Sequence, residues 1–596
     1  MGTVLHRLAV WAESEPRSLG QKYREGSEWK SIAVRDYCDR VYWLALFLES
    51  RGMGPQDVGT ILSYNSPSWV HMDLAAMLMG AKSAGIYPNS TQKDILYILN
   101  HTDSRFLSVQ NKEYFQKIVR PGTDDRLPEK IELIVVFDGD TSISPLAVSY
   151  EAALAIGKGL ATLKGAKKLQ NYLDAIDPHA GALMIYTSGT TGTPKGALLS
   201  HDNLMYTTDR GLAHWGLVAG NGSLFSFLPL CHIAEKIQNL GGISLRYTVN
   251  FCSQFDQVAV ELPMVQPTLL LCVPRLWEKM MEGVMHKIDT APTARKLLAK
   301  WAFAVGQKTA SIKYAGKTLS PSERVQWAIA DKLVLSKIRQ ALGLAQANAL
   351  ASGAAMLPAH VSRWFHALGL EIMEVFGQTE STGIIFMTDR GKDQAGTAGR
   401  PVRGMEFKLA ADGEILARGR NVFKGYFKND QATAQTIDSE GWLQTGDLGE
   451  LDSQGLVRIR GRKKEILKTS GGKMVAPLPI EEALKAAPII SQVCMVGEGR
   501  KYLAVLVTLS ESKMAALTQA HGRLADGVIT FPDVVQAVAS HIEKLNVSLA
   551  SYEQIKKFAI LSQEFSIERG ELTPTLKMKR NVIETHYQEI INSFYE

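Results

Sequence analysis

The chain has 596 residues, 45% of them hydrophobic and 21% charged, with a formal net charge of +6. That length exceeds one ordinary core, so at least two domains are expected, and the composition is that of a soluble globular protein. The mild positive excess gives no ground for nucleic-acid binding. Five cysteines (Cys38, Cys231, Cys252, Cys272 and Cys494) are widely spaced and form no C-x-x-C pair, which argues against a disulfide framework or a zinc site. No apolar run approaches the ~18 residues of a membrane span. The start, "MGTVLHRLAV", has His6 where a myristoylation signal wants Ser or Thr, and it lacks the apolar core of a secretory signal. A cytoplasmic location is expected.

The early elements alternate. "RDYCDRVYWLALFLESRGM" has helical periodicity and stops at Gly52. "DVGTILSYN" reads as a short buried strand. "SPSWVHMDLAAMLMGAKSA" opens with a Ser cap and a Pro in the first turn, and "KIELIVVFDGD" is another apolar strand. Strand–helix alternation predicts a mostly parallel sheet covered by helices. Residues 279–340 read instead as long helices. From Lys279 to Arg339 there are twelve Lys and Arg against four Asp and Glu, a larger positive excess than that of the whole chain. Such a stretch is either a solvated helical face or a surface for anionic lipid headgroups or CoA phosphates. After residue 400 the texture turns to short strands and turns. The segment 466–596 has its own strand–helix pattern, and the charged "RIRGRKKE" marks the boundary near Arg462–Lys464.

The stretch "YTSGTTGTPKGALLSHDNL", Tyr186 to Leu204, carries the chemistry. It is not a Walker loop, G-x-x-x-x-G-K-S/T, because Pro194 precedes Lys195 and Gly196 follows it. It is not a dinucleotide fingerprint either, since Gly189, Gly192 and Gly196 are spaced three and four apart. What remains is a glycine loop with hydroxyls at Ser188, Thr190 and Thr191 and one cation, Lys195, flanked by apolar strands. Such a loop can turn backbone N–H groups and hydroxyls toward a polyphosphate.

This stretch resembles the signature of the adenylate-forming superfamily, which includes acyl-CoA synthetases, luciferases and peptide-synthetase adenylation domains. Further segments similar to the family's follow in its order up to residue 580. The resemblance implies an α/β fold. A large N-terminal domain over 1–461 would combine parallel sheets covered by helices with a small β part, and 279–340 would be a basic helical insertion. A hinge at 462–465 would lead to a smaller, mobile α+β lid at 466–596.

The resemblance also assigns roles. Thr187, Ser188, Gly189, Thr190, Thr191 and Gly192 would hold the nucleotide phosphates, with Lys195 neutralising the leaving group. Gly353 and Ala354 in "ASGAAMLP" would lie against adenine. In "EIMEVFGQTEST", Glu374, Phe376, Gly377, Gln378 and Thr379 would bind nucleotide, with Phe376 stacking where many relatives have tyrosine. Glu380 and Thr190 would be magnesium ligands. His232 in "PLCHIAEK" would orient the two reactants, Asp447 would take the ribose hydroxyls, and Arg462 would contact ribose and phosphate. Lys464 would be the hinge residue. Lys577 would bridge carboxylate and α-phosphate; Lys579 is its rival, because the local sequence is "TLK" rather than the "SGK" of many relatives. "VPRLWEKM" resembles a segment of long-chain acyl-CoA synthetases, which places Arg275 and Trp277 at the acyl pocket.

The function so implied is ATP-dependent activation of a long-chain fatty acid as acyl-AMP and its transfer to CoA, with Mg2+ as cofactor. Two alternatives stand beside it: an acyl-AMP ligase that loads an acyl carrier protein, and a non-catalytic fatty-acid carrier. The expected partners are fatty acid, ATP and CoA, with no nucleic acid; peripheral attachment to the inner face of a membrane and a homodimer are compatible with the sequence.

Overall fold

The computed structural model describes residues 2–165, 167–187, 193–521, 527–573 and 576–596. Two large mixed sheets form the N-terminal part. In the nine-stranded sheet the strands Ile372–Phe376, Ala349–Ser352, Leu269–Cys272, Ser223–Ser226, Thr248–Phe251 and Leu19–Glu25 are parallel neighbours in that order, with antiparallel strands at both edges. In the eight-stranded sheet six parallel strands run from Ala147–Ser149 to Gly181–Thr187, and Lys195–Ser200 and Gly425–Tyr426 then add antiparallel to that edge.

The alternation in the sequence forms as expected. Helix Val34–Ser50 ends at Arg51, and Gly52 takes a φ of +76°, a left-handed turn that suits glycine. Its residues Leu44 to Leu48 are all fully buried, more than one face can supply, because the helix is packed on more than one side within the largest apolar cluster. Helix Pro67–Leu78 begins at Ser66, whose hydroxyl accepts the Trp69 N–H at 3.1 Å. The basic region is indeed helical, as Pro274–Asp289, Thr293–Tyr314, Pro321–Ala330 and Ser336–Ala341, with a π-turn at Asp331–Leu335. No described helix is long and apolar enough to cross a membrane.

A four-stranded antiparallel sheet follows, Glu406–Leu409, Glu414–Arg418, Leu443–Leu451 and Val457–Arg462. The C-terminal part is built on Ile490–Val496, Leu503–Leu509 and Ile555–Leu561. The first two of these strands are buried at every position, because helices such as Pro477–Lys485 and Pro532–Asn546 cover one face and Arg580–His586 packs on the other.

Candidate active site

The carboxyl ends of the parallel strands in the nine-stranded sheet open on one cavity of about 2410 Å³, walled on its other sides by the small antiparallel sheet and the C-terminal part. Open α/β sheets offer their ligand crevice at this end of the strands. Thr187, Lys195, His232, Gly353, Ala354, Glu374, Phe376, Gly377, Gln378, Thr379, Glu380, Asp447, Arg462, Lys464 and Lys577 all line it. Ser188, Gly189, Thr190, Thr191 and Gly192 lie outside the described residues. The flanking strands Gly181–Thr187 and Lys195–Ser200 pair antiparallel, with Thr187 opposite Lys195.

Strand register sets the first pair of charges. Asp447 and Arg462 are opposite residues in adjacent strands, and Arg462 Nε donates to Asp447 Oδ1 at 3.0 Å. Burial raises the Asp447 pKa, while Arg462 and Lys577 pull it back down. Lys577 is accessible from the cavity but surrounded by protein. Burial, with repulsion from Arg462, lowers its pKa to about 8 against the opposing pull of Asp447, Glu465 and Glu380.

His232 caps helix Ile233–Leu245, and its Nδ1 accepts the Ala234 N–H at 3.2 Å. That bond puts the ring proton of the neutral imidazole on Nε2. Burial, with Lys577 nearby, lowers its pKa to about 3, so the ring is neutral at ordinary pH. A neutral ring can donate a hydrogen bond to an anion.

The segment after strand Ile372–Phe376 is held rigidly. A Cβ on Gly377 would come within 2.5 Å of the Gly383 carbonyl oxygen, so only glycine fits there. Gln378 Nε2 donates to the Thr445 carbonyl at 3.2 Å, which ties this segment to the strand that carries Asp447. Ala354 has a φ of +71°, an uncommon conformation for a residue with a side chain, and it sits in the cavity wall. Glu374 is buried; its Oε2 accepts the Leu357 N–H at 3.3 Å, and its Oε1 has no hydrogen-bond partner among the described residues. Burial raises its pKa well above the usual carboxyl value.

Sequence reasoning missed Tyr426. Its hydroxyl donates to Glu380 Oε1 at 2.7 Å, and Lys195 Nζ lies 4.9 Å from its ring centroid. It thus connects the loop cation to the carboxylate. The pairing of Gly425–Tyr426 with Ala197–Leu198 puts it there, across a long interval of sequence.

An apolar arm of the cavity was also missed. Thr208, Leu212 and Trp215 come from helix His201–His214 and its end; Ile233, Ile237 and Gly241 come from helix Ile233–Leu245; Leu269, Ile384 and Met387 complete the wall. A Cβ on Gly241 would meet Leu212 Cδ2 at 3.8 Å and Thr208 Cγ2 at 3.9 Å, ordinary van der Waals contact, so the site admits a methyl group, and a larger side chain would extend into the arm. The i, i+4, i+8 spacing of Ile233, Ile237 and Gly241 was a legible sign of one helix face.

Two expectations change. Trp277 does not face the cavity: it is fully buried, packed edge-on against Phe365 at 5.1 Å in a separate apolar cluster. Its large ring fills core space below the helix start. Arg275 lines the cavity, but it directs its guanidinium to carboxylates and not to an apolar pocket.

The AMP-binding enzyme family matches residues 10–427, and the AMP-binding enzyme C-terminal domain matches 464–596. The chain belongs to the AMP-binding enzyme family. Among curated AMP-binding relatives, it is 32% identical to long-chain-fatty-acid–CoA ligase ACSBG1 of Mus musculus, with 100% of this chain and 88% of that protein aligned. It is 31% identical to long-chain-fatty-acid–CoA ligase FadD15 of Mycobacterium bovis, over 95% of this chain and 92% of the relative. In fold it is similar to the anthranilate CoA ligase AuaEII in complex with anthranoyl-AMP, at a TM-score of 0.73 and 18% identity over 99% of this chain and 98% of that one. The adenylation domain of a carboxylate reductase from Mycobacterium chelonae gives a TM-score of 0.72 at 20% identity, over 100% of this chain and 91% of that one. The AMP-binding fold expected from the sequence is therefore the observed one.

Proposed function

We propose that the protein activates a long-chain fatty acid with ATP, as acyl-AMP, and passes the acyl group to CoA. The observation that carries this reading is convergence: Asp447 with Arg462, Glu380 with Tyr426, His232 and Lys577 line one cavity that also has an apolar arm. The polar end suits a nucleotide and a carboxylate, and the arm suits an alkyl chain.

In the first step a carboxylate oxygen attacks the α-phosphorus of ATP and the bond to pyrophosphate breaks. A carboxylate is already a nucleophile at neutral pH, so no general base is required. The difficulty is two anions approaching each other. Lys577 supplies a cation between them, and the neutral His232 donates from Nε2. Asp447 accepts the ribose hydroxyls and Arg462 contacts ribose and phosphate. Phe376 stacks on adenine, Gly353, Ala354 and Glu374 lie beside it, and Thr379 reaches the α-phosphate. Lys195 and the loop around Thr190 take the pyrophosphate charge.

Magnesium fits the site through Glu380. Among the described residues no cluster of three metal-ligating side chains exists, so no protein cage is available. One carboxylate completed by substrate phosphates and water is a usual magnesium arrangement, and bound there the ion neutralises phosphate charge.

In the second step the lid, 466–596, turns about the 462–465 hinge, withdraws Lys577 and admits the CoA thiol, which displaces AMP from the acyl carbon. Lys464 lies in a single 3-10 turn, Lys463–Glu465, between the small sheet and the strand Leu467–Lys468, a short joint that suits such a rotation. Pyrophosphate exchange tests the assignment: Lys577→Ala abolishes exchange dependent on the fatty acid and spares attack of CoA on supplied acyl-AMP. Loss of only the second step refutes it. Thioester formation on a holo-carrier protein, without CoA, would instead favour the carrier-loading alternative.

The basic helical region supports a peripheral lipid contact. Leu297, Leu298 and Trp301 on one helix, Val325 and Ile329 on the next and Leu333 in the π-turn after it are exposed, amid the excess of Lys and Arg. Apolar side chains with surrounding cations suit an anionic bilayer, which is also where a long-chain acid partitions.

A further inference from the structure

Arg275 and Glu278 open helix Pro274–Asp289 in the N-terminal part, and both reach across to the C-terminal part. Arg275 Nη2 donates to Ser491 Oγ at 2.8 Å and to Glu564 Oε1 at 2.8 Å. Its Nη1 donates to Glu278 at 3.2 Å and Glu282 at 3.3 Å on its own helix. Glu278 in turn forms an ion pair with Lys485, Oε1 to Nζ at 2.9 Å, and Lys485 also pairs with Glu482 at 3.1 Å. Ser491 donates to Glu564, which fixes that carboxylate. Two separate ion pairs therefore cross between the parts, Arg275–Glu564 and Glu278–Lys485, and Glu278 and Arg275 touch each other.

The network is shielded. Arg275, Glu278 and Lys485 side chains keep 11%, 7% and 17% of their exposure. Arg275, Glu278, Ser491, Glu482 and Lys485 all line the cavity that Lys577 enters. Ionic contacts of this kind are met in one relative orientation, because a charge displaced by a few ångströms loses its partner. They differ from an apolar joint in one respect: on opening, water can solvate the separated charges, so the loss is modest. Two cations stand among four carboxylates (Glu278, Glu282, Glu482 and Glu564), so removing either cation leaves carboxylates facing one another.

We propose that Arg275, Glu278, Lys485 and Glu564 form a reversible latch that holds the C-terminal part in the orientation where Lys577 reaches the reacting groups. They are positioning residues: none needs to touch substrate. The latch rests on the two-step reading above and adds to it the contacts that bias one lid position against the other.

The test separates the two half-reactions in Lys485→Gln, Glu564→Gln and the conservative Lys485→Arg. The first two variants lower fatty-acid-dependent pyrophosphate exchange about tenfold, the population shift expected from losing one crossing contact, and leave thioester formation from supplied acyl-AMP equal or faster. Lys485→Arg keeps most of the exchange. Hydrogen exchange supplies a readout independent of activity: amides of helix Pro477–Lys485 and the start of helix Pro274–Asp289 lose protection in the two Gln variants. An equal fall in both half-reactions, or unchanged exchange with unchanged amide protection, overturns the latch. If the unaltered protein performs neither half-reaction with any fatty acid, the two-step reading fails instead, and the amide protection alone then decides whether the latch exists.

Discussion

Asp447 and Arg462 face each other across an antiparallel pair of strands, bonded Nε to Oδ1 at 3.0 Å. The sheet holds the carboxylate in place before any nucleotide arrives, with Arg462 opposing the burial that raises its pKa. In the role proposed for Asp447, Asp447→Ala takes a charged acceptor from the two ribose hydroxyls, a contact contributing about 1.5–3 kcal/mol. The KM for ATP rises about 10- to 100-fold with the fold intact, read from steady-state kinetics and thermal unfolding together.

The role proposed for Lys577 sets a pH limit on the adenylation step. An amine keeps its positive charge below its pKa and loses it above. Because burial brings this one down to about 8 from 10.5, its charge disappears across a range where an ordinary lysine is still cationic. The rate of pyrophosphate exchange therefore holds below pH 8 and falls above it, approaching about tenfold per pH unit. His232 adds no limb in this range, since its pKa lies at about 3. Lys577→Arg moves the limb upward by keeping the charge, although with a lower maximum.

Tyr426 links Glu380 to the loop cation. Tyr426→Phe removes the 2.7 Å bond to Glu380 and keeps the ring beneath Lys195. The expected result is a rise in the magnesium concentration needed for half-maximal activity, by about tenfold, with the KM for fatty acid unchanged. A magnesium titration at fixed ATP checks it.

Gly241 and Trp277 separate acyl selection from packing. Gly241→Leu puts side-chain atoms into the open arm next to Leu212 and Thr208. Each methylene excluded forfeits about 0.8 kcal/mol, so kcat/KM falls for hexadecanoate and is largely kept for octanoate. Trp277→Ala, in the core against Phe365, destabilises the fold by about 3–5 kcal/mol and leaves the ratio of the two acids unchanged.

The lipid contact proposed for the helical region from Lys279 to Arg339 requires a salt dependence. Sedimentation with anionic phospholipid vesicles falls steeply as salt screens the basic side chains, and Trp301→Ser weakens what remains. Vesicles without anionic lipid retain much less protein.

Much of this site can be read in the sequence because its parts are local. A glycine that must approach a carbonyl, as Gly377 does, and a carboxylate paired with an arginine across one hairpin, as Asp447 is, leave their mark within a few residues. Tyr426 left none, since its neighbour is chosen by a strand pairing between distant segments. The same holds for Arg275: the motif around it says that the arginine matters, but its partners Ser491 and Glu564 come from another part of the chain. Trp277 shows the opposite error, in which a large ring beside a site was read as lining it although the helix turns it into the core. The alternating helices and strands were legible from periodicity. The order of the strands was not, because parallel neighbours are set by crossovers rather than by local pattern.

The central claim is that an oxygen of the fatty acid becomes bonded to the α-phosphorus of ATP. Fatty acid labelled with oxygen-18 in its carboxyl group, turned over with ATP and CoA, tests it directly by mass spectrometry of the products. The account requires one labelled oxygen in AMP and none in pyrophosphate, since the thiol breaks the bond between the acyl carbon and that oxygen. Unlabelled AMP, or label in pyrophosphate or in inorganic phosphate, contradicts it.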